Sequence, residues 1–375
     1  MLCTICDWAY LARFLVLARS LRRVCPSLPL HVVCLDEASG RYLEGRAGII
    51  TIPLAELEQS DPAVAATRRF RTRQRYAWTL KPASCLHLLR TRGDAKAVLF
   101  LDADLMFFSG PGPIFDELTR GSVALVPERQ VAPGAWTPAG VRPELGSAQG
   151  ATWGFYNSGT IGFRRDCDGL AALRWWREQC IVSGDDGGAT GHEGYQWQLN
   201  PVPELFGSVR VIEHPGVGLA PWNARGTRLE LRAGELLADG RPLVYYHYQS
   251  LRLRRDGPLV RVAGWRSNDL GELPGIAPPM RATIGRHWRI SADERELLWQ
   301  PYRQQLAAAV AEILREQPAW ADVVGRDSAT ELAADIVGEL RWRAYLAAGR
   351  ILPPSARRIA SSARARLRNR LTTPA

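Results

Sequence analysis

The sequence predicts an α/β protein: a layered domain around a mostly parallel sheet, with a helical extension behind it. Three observations carry this. Short apolar runs alternate with segments of helical period through residues 2–126. The run Val98-Leu99-Phe100-Leu101 ends at once in Asp102-Ala103-Asp104. That is the pattern of a buried strand delivering polar groups at its carboxyl end, where open sheets of this class bind ligands. Beyond residue 290, Ser291-x-x-Glu294 and Ser328-x-x-Glu331 are capping-box signals ahead of helical periodicity.

Taken in order, residues 2–6 read as the first strand and 8–24 as a helix ending before Pro26. Residues 30–35 form strand two, closed by Asp36 and Glu37, and 48–52 form strand three. Residues 82–91 read as a helix opened by Pro82, because proline suits the first helical position. The strand ending in Asp-Ala-Asp follows, then another at 122–126. Residues 127–154 are rich in Pro and Gly, a long loop of the kind that is usually functional. A strand at 160–164 and a helix at 168–181 come next. A Gly-rich patch at 184–194 precedes a short helix, and 208–212 and 243–248 read as strands. Residues 256–290 show little pattern; helices are expected near 292–316, kinked at Pro301, and 329–348.

Composition narrows the class. At 375 residues, 46% hydrophobic and 23% charged, the chain reads as an ordinary globular protein with a large core. No apolar run approaches the roughly 18 residues of a membrane span. Asp7 and Arg13 interrupt any signal-peptide order, so the expected location is cytoplasmic. The seven cysteines are odd in number and suit a reduced compartment rather than a disulfide framework. Cys3 and Cys6 fall on one strand, where i and i+3 face opposite sides, so they read as small buried hydrophobes. Seven arginines and no acid lie in 350–375, so most of the net charge of +10 belongs to the tail. No aromatic platform accompanies it, which argues against nucleic acid.

Asp102 and Asp104 carry the chemistry. Two acids at a buried strand end repel each other and resist burial unless a cation joins them. A hard divalent ion, Mn²⁺ or Mg²⁺, satisfies both. A haloacid-dehalogenase-like phosphatase also uses Asp-x-Asp, but it wants a hydroxyl residue soon after, and Leu105-Met106-Phe107-Phe108 follows here. A sugar-nucleotidyltransferase would want a glycine-rich first loop, and residues 6–13 contain no glycine.

The segments TICDWAYLARFLVLARSL (4–21), TLKP (79–82), FLDADLMFF (100–108), YNSGTIGFR (156–164), GYQWQLN (194–200), HPGVGLAPWN (214–223) and YYHYQSL (245–251) resemble, in their order, the GT-A glycosyltransferases of the glycogenin and bacterial lipooligosaccharide galactosyltransferase type. The resemblance covers about residues 1–250. It implies a Rossmann-like, nucleotide-diphospho-sugar-binding domain of three layers. It implies a metal held by Asp102, Asp104 and His247, the last of which would by itself read as a structural histidine. It places Thr4, Cys6, Asp7, Tyr10, Arg71, Lys81, Asp102 and Ala103 around the nucleotide. Tyr10 reads equally as core packing, and Arg71 and Lys81 as solvated charge. Asn157, Ser158 and Gly159, just before a strand, would meet sugar hydroxyls or simply turn the chain. Trp222 would stack on a sugar, with Asn223 fixing a hydroxyl, or sit in the core.

One departure stands out. The family usually carries Gly-Asp-Gln where this chain has Gly194-Tyr195-Gln196, so Tyr195 replaces the carboxylate near the reacting sugar. Glu193 would substitute, and Gln196 would neighbour the anomeric carbon. The expected function is metal-dependent transfer of a sugar from a nucleoside-diphosphate donor, UDP-linked by the resemblance, to a glycan or lipid-linked glycan in bacterial surface-polysaccharide assembly. The alternative is a catalytically impaired partner subunit that keeps the fold. Expected domains are 1–255 catalytic, 256–348 a helical extension and 349–375 a basic tail. The stretch 350–375 would be disordered or lie on an anionic membrane surface, at the inner face of the cytoplasmic membrane.

Overall fold

The computed structural model describes residues 1–129, 154–182, 195–255, 267–277, 279–285 and 290–324. The tail from 325, the capping box at Ser328 and the acid Glu193 lie outside the described residues. The chain opens with β1 (Leu2–Cys6), α1 (Leu11–Val24), β2 (Leu30–Cys34), α2 (Glu37–Leu43) and β3 (Ile49–Pro53). Then come α3 (Leu54–Ser60), α4 (Pro62–Thr67), α5 (Arg73–Thr91), β4 (Ala97–Leu101), β5 (Leu105–Phe107), α6 (Gly112–Arg120) and β6 (Val123–Pro127). A long β7 (Tyr156–Arg164) and α7 (Cys167–Val182) follow, then β8 (Val209–Val211).

The main sheet has the order β3-β2-β1-β4-β7-β6-β8. All neighbours run parallel except β7, which is antiparallel to both β4 and β6. Hydrophobic clusters cover both faces. Cys3 joins the one under α5 and α7, and Cys6 the one under α1, as strand alternation requires.

Helix α5 begins nine residues earlier than the sequence suggests. Thr72 caps it, its Oγ1 accepting from the Arg75 N–H, and Pro82 sits in its interior. An interior proline costs a helix about 3 kcal/mol. Burial of Tyr76, Thr79 and Leu80 before it, and Ala83, Cys85 and Leu86 after it, outweighs that cost. Strand β7 likewise starts early, so Asn157, Ser158 and Gly159 are strand residues rather than a preceding turn. Their turn chemistry survives as a bulge: register against β6 jumps from Ile161 to Asn157, and the Asn157 Oδ1 accepts the Gly159 N–H at 2.7 Å.

Beyond β8, a small hairpin sheet forms from β9 (Leu229–Arg232), β10 (Glu235–Ala238) and β11 (Arg241–Pro242). Then β12 (Tyr245–His247) returns to pair with β5. The stretch that showed little pattern contributes to a third sheet, β13 (Leu251–Arg255), β14 (Ser267–Glu272) and β15 (Met280–Gly285). A period-2 signal was present: Leu251, Leu253, Met280, Ala282 and Ile284 face the core together.

The Ser291–Glu294 capping box forms as expected, with both reciprocal bonds made. A π-helical turn at Arg295–Trp299 precedes α8 (Gln300–Glu316), so Pro301 stands in a first helical turn, where proline is tolerated, rather than in a helix interior. Helix α8 lies on α1. Leu306, Val310 and Ile313 share its hydrophobic cluster, and Arg46 bridges to Glu312 at 2.6 Å and to Glu316 at 2.5 Å. Trp320 seals the contact, fully buried, its indole N–H donating to the Trp8 carbonyl at 2.8 Å. Among the described residues no helix is long and apolar enough to cross a membrane.

Candidate metal and nucleotide site

Strand β4 is buried and ends at Leu101, so Asp102 and Asp104 leave the sheet at its carboxyl edge. The chain then turns into β5, whose antiparallel register sets His247 opposite Leu105, one residue past Asp104. The Tyr248 N–H donates to the Asp104 carbonyl at 2.9 Å and locks that register. The result is a cluster in which one ligand atom each of Asp102, Asp104 and His247 lies within 4.8 Å of the others. The His247 Nε2 is 3.1 Å from the Asp104 Oδ1. Trp222 packs its ring edge-on against the imidazole, with centroids 5.5 Å apart.

Lys81, from the interior of α5, reaches the other acid: its Nζ lies 2.7 Å from the Asp102 Oδ1. Strand β7 closes the site from the far side. Gly159 accepts the Asp102 N–H through its carbonyl at 2.7 Å, so its Cα sits against the cluster. A Cβ there would lie 2.8 Å from the Asp102 Oδ2, 2.8 Å from the His247 Cε1 and 2.7 Å from the Asn157 Oδ1. Glycine is required for space at this position.

Electrostatics tie the pair together. Burial pushes the Asp104 carboxyl up, but the charge and hydrogen bond of His247, helped by Arg13, bring it below its ordinary value. Burial pushes His247 down, but the charge and hydrogen bond of Asp104, with Asp102 adding, carry it above its ordinary value. The pair therefore favours imidazolium against carboxylate. Its stabilising contribution is present above the ordinary carboxylate pKa and below that of histidine. It is lost as pH falls through the depressed Asp104 value or rises through the elevated His247 value. A metal ligated by His247 must expel that proton. The affinity for Mn²⁺ is accordingly expected to rise as pH climbs past the ordinary histidine value, with net proton release. Calorimetry in two buffers of different ionisation enthalpy measures this; a pH-independent affinity counts against His247 as a ligand.

The remaining expected residues divide. The Ser158 N–H donates to the Gln196 side-chain oxygen at 3.4 Å, which brings Gln196 to the same strand edge. Ala103 is buried in the turn between the two acids. Tyr10 is 43% exposed and stands under the Arg13 guanidinium. Asp7 caps the turn leading to Tyr10, accepting its N–H at 2.8 Å, and pairs with Arg73, which also holds Asp36. Thr4 and Cys6 are buried beneath it.

Other side chains are committed elsewhere. The Asn223 amide donates to the Glu128 and Gly218 carbonyls at 3.2 and 2.8 Å and accepts the Ala220 N–H at 2.9 Å. It therefore shapes a turn rather than offering donors to a sugar hydroxyl. The Trp222 N–H is spent on the Glu128 carbonyl at 2.9 Å, so its ring buttresses His247. Arg71 binds the Thr79 hydroxyl and the Ile181 carbonyl, stitching α5 to α7. Tyr195 is buried against Trp78, with ring centroids 5.6 Å apart.

Sequence reasoning missed two residues. Glu128 is a buried carboxylate whose Oε2 accepts from the Asn157 amide at 2.8 Å. The signal was available: Val123–Pro127 is another apolar strand followed at once by an acid. Arg13 is a buried cation in an otherwise apolar stretch of α1.

A mixed α/β sheet with two acids and an imidazole converging at the carboxyl edge of a central strand defines an α/β protein of the open-sheet class. No family model matches the chain. Two curated relatives from Bacillus subtilis (strain 168) are similar to it, both uncharacterized proteins. YfnF is 29% identical over 261 residues, 67% of this chain and 81% of its own length. YfnD is 28% identical over 256 residues, 67% and 77%. Among solved structures, mouse xyloside xylosyltransferase 1 in its apo form aligns at TM-score 0.40 and 16% identity, over 66% of this chain and 97% of that one. The galactosyltransferase LgtC in complex with donor and acceptor sugar analogs aligns at 0.40 and 20%, over 69% and 87%. The glycosyltransferase GlyE of Streptococcus pneumoniae TIGR4 aligns at 0.42 and 16%, over 84% and 63%. Superpositions this loose carry no argument; the architecture rests on the strand order given above.

Proposed function

We propose that this protein is a GT-A-type glycosyltransferase that takes a nucleoside-diphosphate sugar, UDP-linked, as donor and a glycan or glycolipid as acceptor. The observation that carries this is the Asp102–Asp104–His247 cluster at the carboxyl edge of the central strand. Two carboxylates and one imidazole suit a hard or borderline divalent ion, with the imidazole favouring Mn²⁺ over Mg²⁺. The missing Cβ of Gly159 keeps the space beside them clear. When bound, such an ion supplies Lewis-acid stabilisation of a departing diphosphate.

The chain's own residues do the rest. Lys81 offsets the charge of Asp102, which lets two acids share one buried corner. Tyr10 offers an exposed ring on which a base stacks. Glu128 fixes the Asn157 amide, and Gln196 stands beside Ser158, so one strand edge presents polar groups for sugar hydroxyls. The transfer breaks the anomeric carbon–oxygen bond to the diphosphate, which leaves with the electron pair. A new bond forms to an acceptor oxygen, whose proton is released with the departing diphosphate.

Thermal unfolding with a panel of nucleoside diphosphates tests the reading. UDP with Mn²⁺ is expected to raise Tm by roughly 3–5 °C near saturation, while UDP in EDTA does not. An equal rise in EDTA overturns the metal role, and no rise with any nucleoside diphosphate overturns the donor class. Slow release of UDP from the sugar nucleotide in the absence of acceptor reports transfer to water.

A further inference from the structure

Arg13 is an expensive residue for its position. It lies in the first turn of α1 among Leu11, Ala12, Phe14 and Leu15, all buried, and is itself only 8% exposed. A guanidinium carries five N–H donors. Among the described residues, one hydrogen bond is made, to the Leu251 carbonyl at 2.8 Å, and the flat group lies 4.5 Å from the Tyr10 ring centroid. No carboxylate among the described residues pairs with it. None of its other nitrogens is among the enclosed side-chain atoms left without a partner, so these donors reach solvent and stand open to an anion.

Its surroundings show where that anion belongs. Arg13 is among the charges that hold Asp104 low, so it lies within electrostatic reach of the metal-ligand cluster. Its bond to Leu251 braces the turn after His247, in which Ser250 adopts φ +66°. Tyr302, from α8, contributes a second unspent group: its hydroxyl is buried with no partner. Burial raises that hydroxyl, and Arg13, Asp104 and Tyr10 all act on it. Arg13 thus stands against the exposed Tyr10 ring and braces the turn after His247, within electrostatic reach of Asp104 and of the unpartnered Tyr302 hydroxyl.

We propose that Arg13 is a phosphate-binding residue: its unspent N–H donors take a phosphate oxygen of the nucleoside-diphosphate donor, as a contact separate from the metal. This rests on the donor reading given under Proposed function. Arginine suits the task because its charge is permanent and its fork matches phosphate oxygens.

The test compares wild type, Arg13→Gln and Arg13→Lys by calorimetry with three probes, each in Mn²⁺: UDP, uridine and inorganic pyrophosphate. Arg13→Gln is expected to weaken UDP and pyrophosphate binding about 10- to 100-fold and uridine binding less than about threefold. Arg13→Lys recovers part of the loss, and Mn²⁺ alone binds all three proteins alike. If UDP still binds wild type with Mn²⁺ but Arg13→Gln binds it equally well, Arg13 has no such role and the donor reading stands. A loss equal for uridine and UDP also overturns the proposal, because it places the effect on Tyr10 and the base. Wild type that ignores UDP overturns both readings together. Should Arg13→Gln fail to fold, wild type still decides. Pyrophosphate in Mn²⁺ is expected to slow phenylglyoxal modification of Arg13, followed by peptide mass, relative to Mn²⁺ alone, and an unchanged rate overturns the assignment.

Discussion

Asp104→Asn is expected to abolish Mn²⁺-dependent binding of UDP. The carboxylate is buried and meets the His247 Nε2 at 3.1 Å, within the group of ligand atoms that lie inside 4.8 Å of one another. Removing its charge takes away one of three protein ligands. Groups that merely orient a ligand already cost about 10- to 100-fold in metal affinity when lost, so a ligand itself is expected to cost more than about 100-fold. The substitution also strips His247 of the partner that does most to raise its proton affinity, so burial favours the neutral imidazole more strongly. Stability at neutral pH therefore falls less than breaking a buried ion pair usually implies, about 3–5 kcal/mol, because the second charge can discharge. Manganese titration followed by electron paramagnetic resonance reads the affinity directly. Tight UDP binding by the variant in EDTA would sink the metal role.

The second large effect comes from adding one methyl group. Gly159→Ala puts a Cβ 2.7–2.8 Å from the Asn157 Oδ1, the Asp102 Oδ2 and the His247 Cε1. Two of these belong to proposed metal ligands, and all are held by other contacts. Something must move, and overpacking of this kind costs about 1–3 kcal/mol. The larger consequence is for binding, since two ligands are displaced together: Mn²⁺ affinity is expected to fall at least about tenfold. Gly162→Ala is the matched control. It lies on the same strand, and its Cβ meets Leu118 Cδ1 at 2.7 Å, the far end of a flexible side chain. That variant is expected to lose some stability and keep its metal affinity. Equal affinities for all three proteins would place the metal elsewhere.

Much of the fold was legible because its signals are local. Alternation of apolar strands with helical periods placed β1 to β4 and β6 within a residue or so of their observed bounds and α1 within three, but gave no sign of β5. The capping box at Ser291 named a helix start correctly because both partners lie within one turn. Where local signals misled, burial over a long range was the stronger effect. Pro82 reads as a helix start, yet packing along both halves of α5 carries the helix through it. Asn157, Ser158 and Gly159 read as a turn, yet pairing of Tyr156 and Asn157 with β6 extends them as a strand with a bulge.

The site divides the same way. Asp102 and Asp104 announce themselves, because a buried strand that ends in two acids has few other uses. His247 depends on the antiparallel return of β12 to β5, and Lys81 on a helix interior that reaches across to β4. Asn223 and Trp222 looked available for a sugar until their hydrogen bonds to the Glu128 carbonyl were in view.

The sequence by itself determined the α/β class, the main strands up to β6, the acidic turn after β4 and the helical cap at Ser291. All of these follow from the period and chemistry of neighbouring residues. Only the tertiary structure decided which distant side chains meet those acids, and which polar groups are spent inside the fold rather than left for a ligand. Register between strands far apart in the chain is set by the burial of whole faces, and no short window of sequence records it.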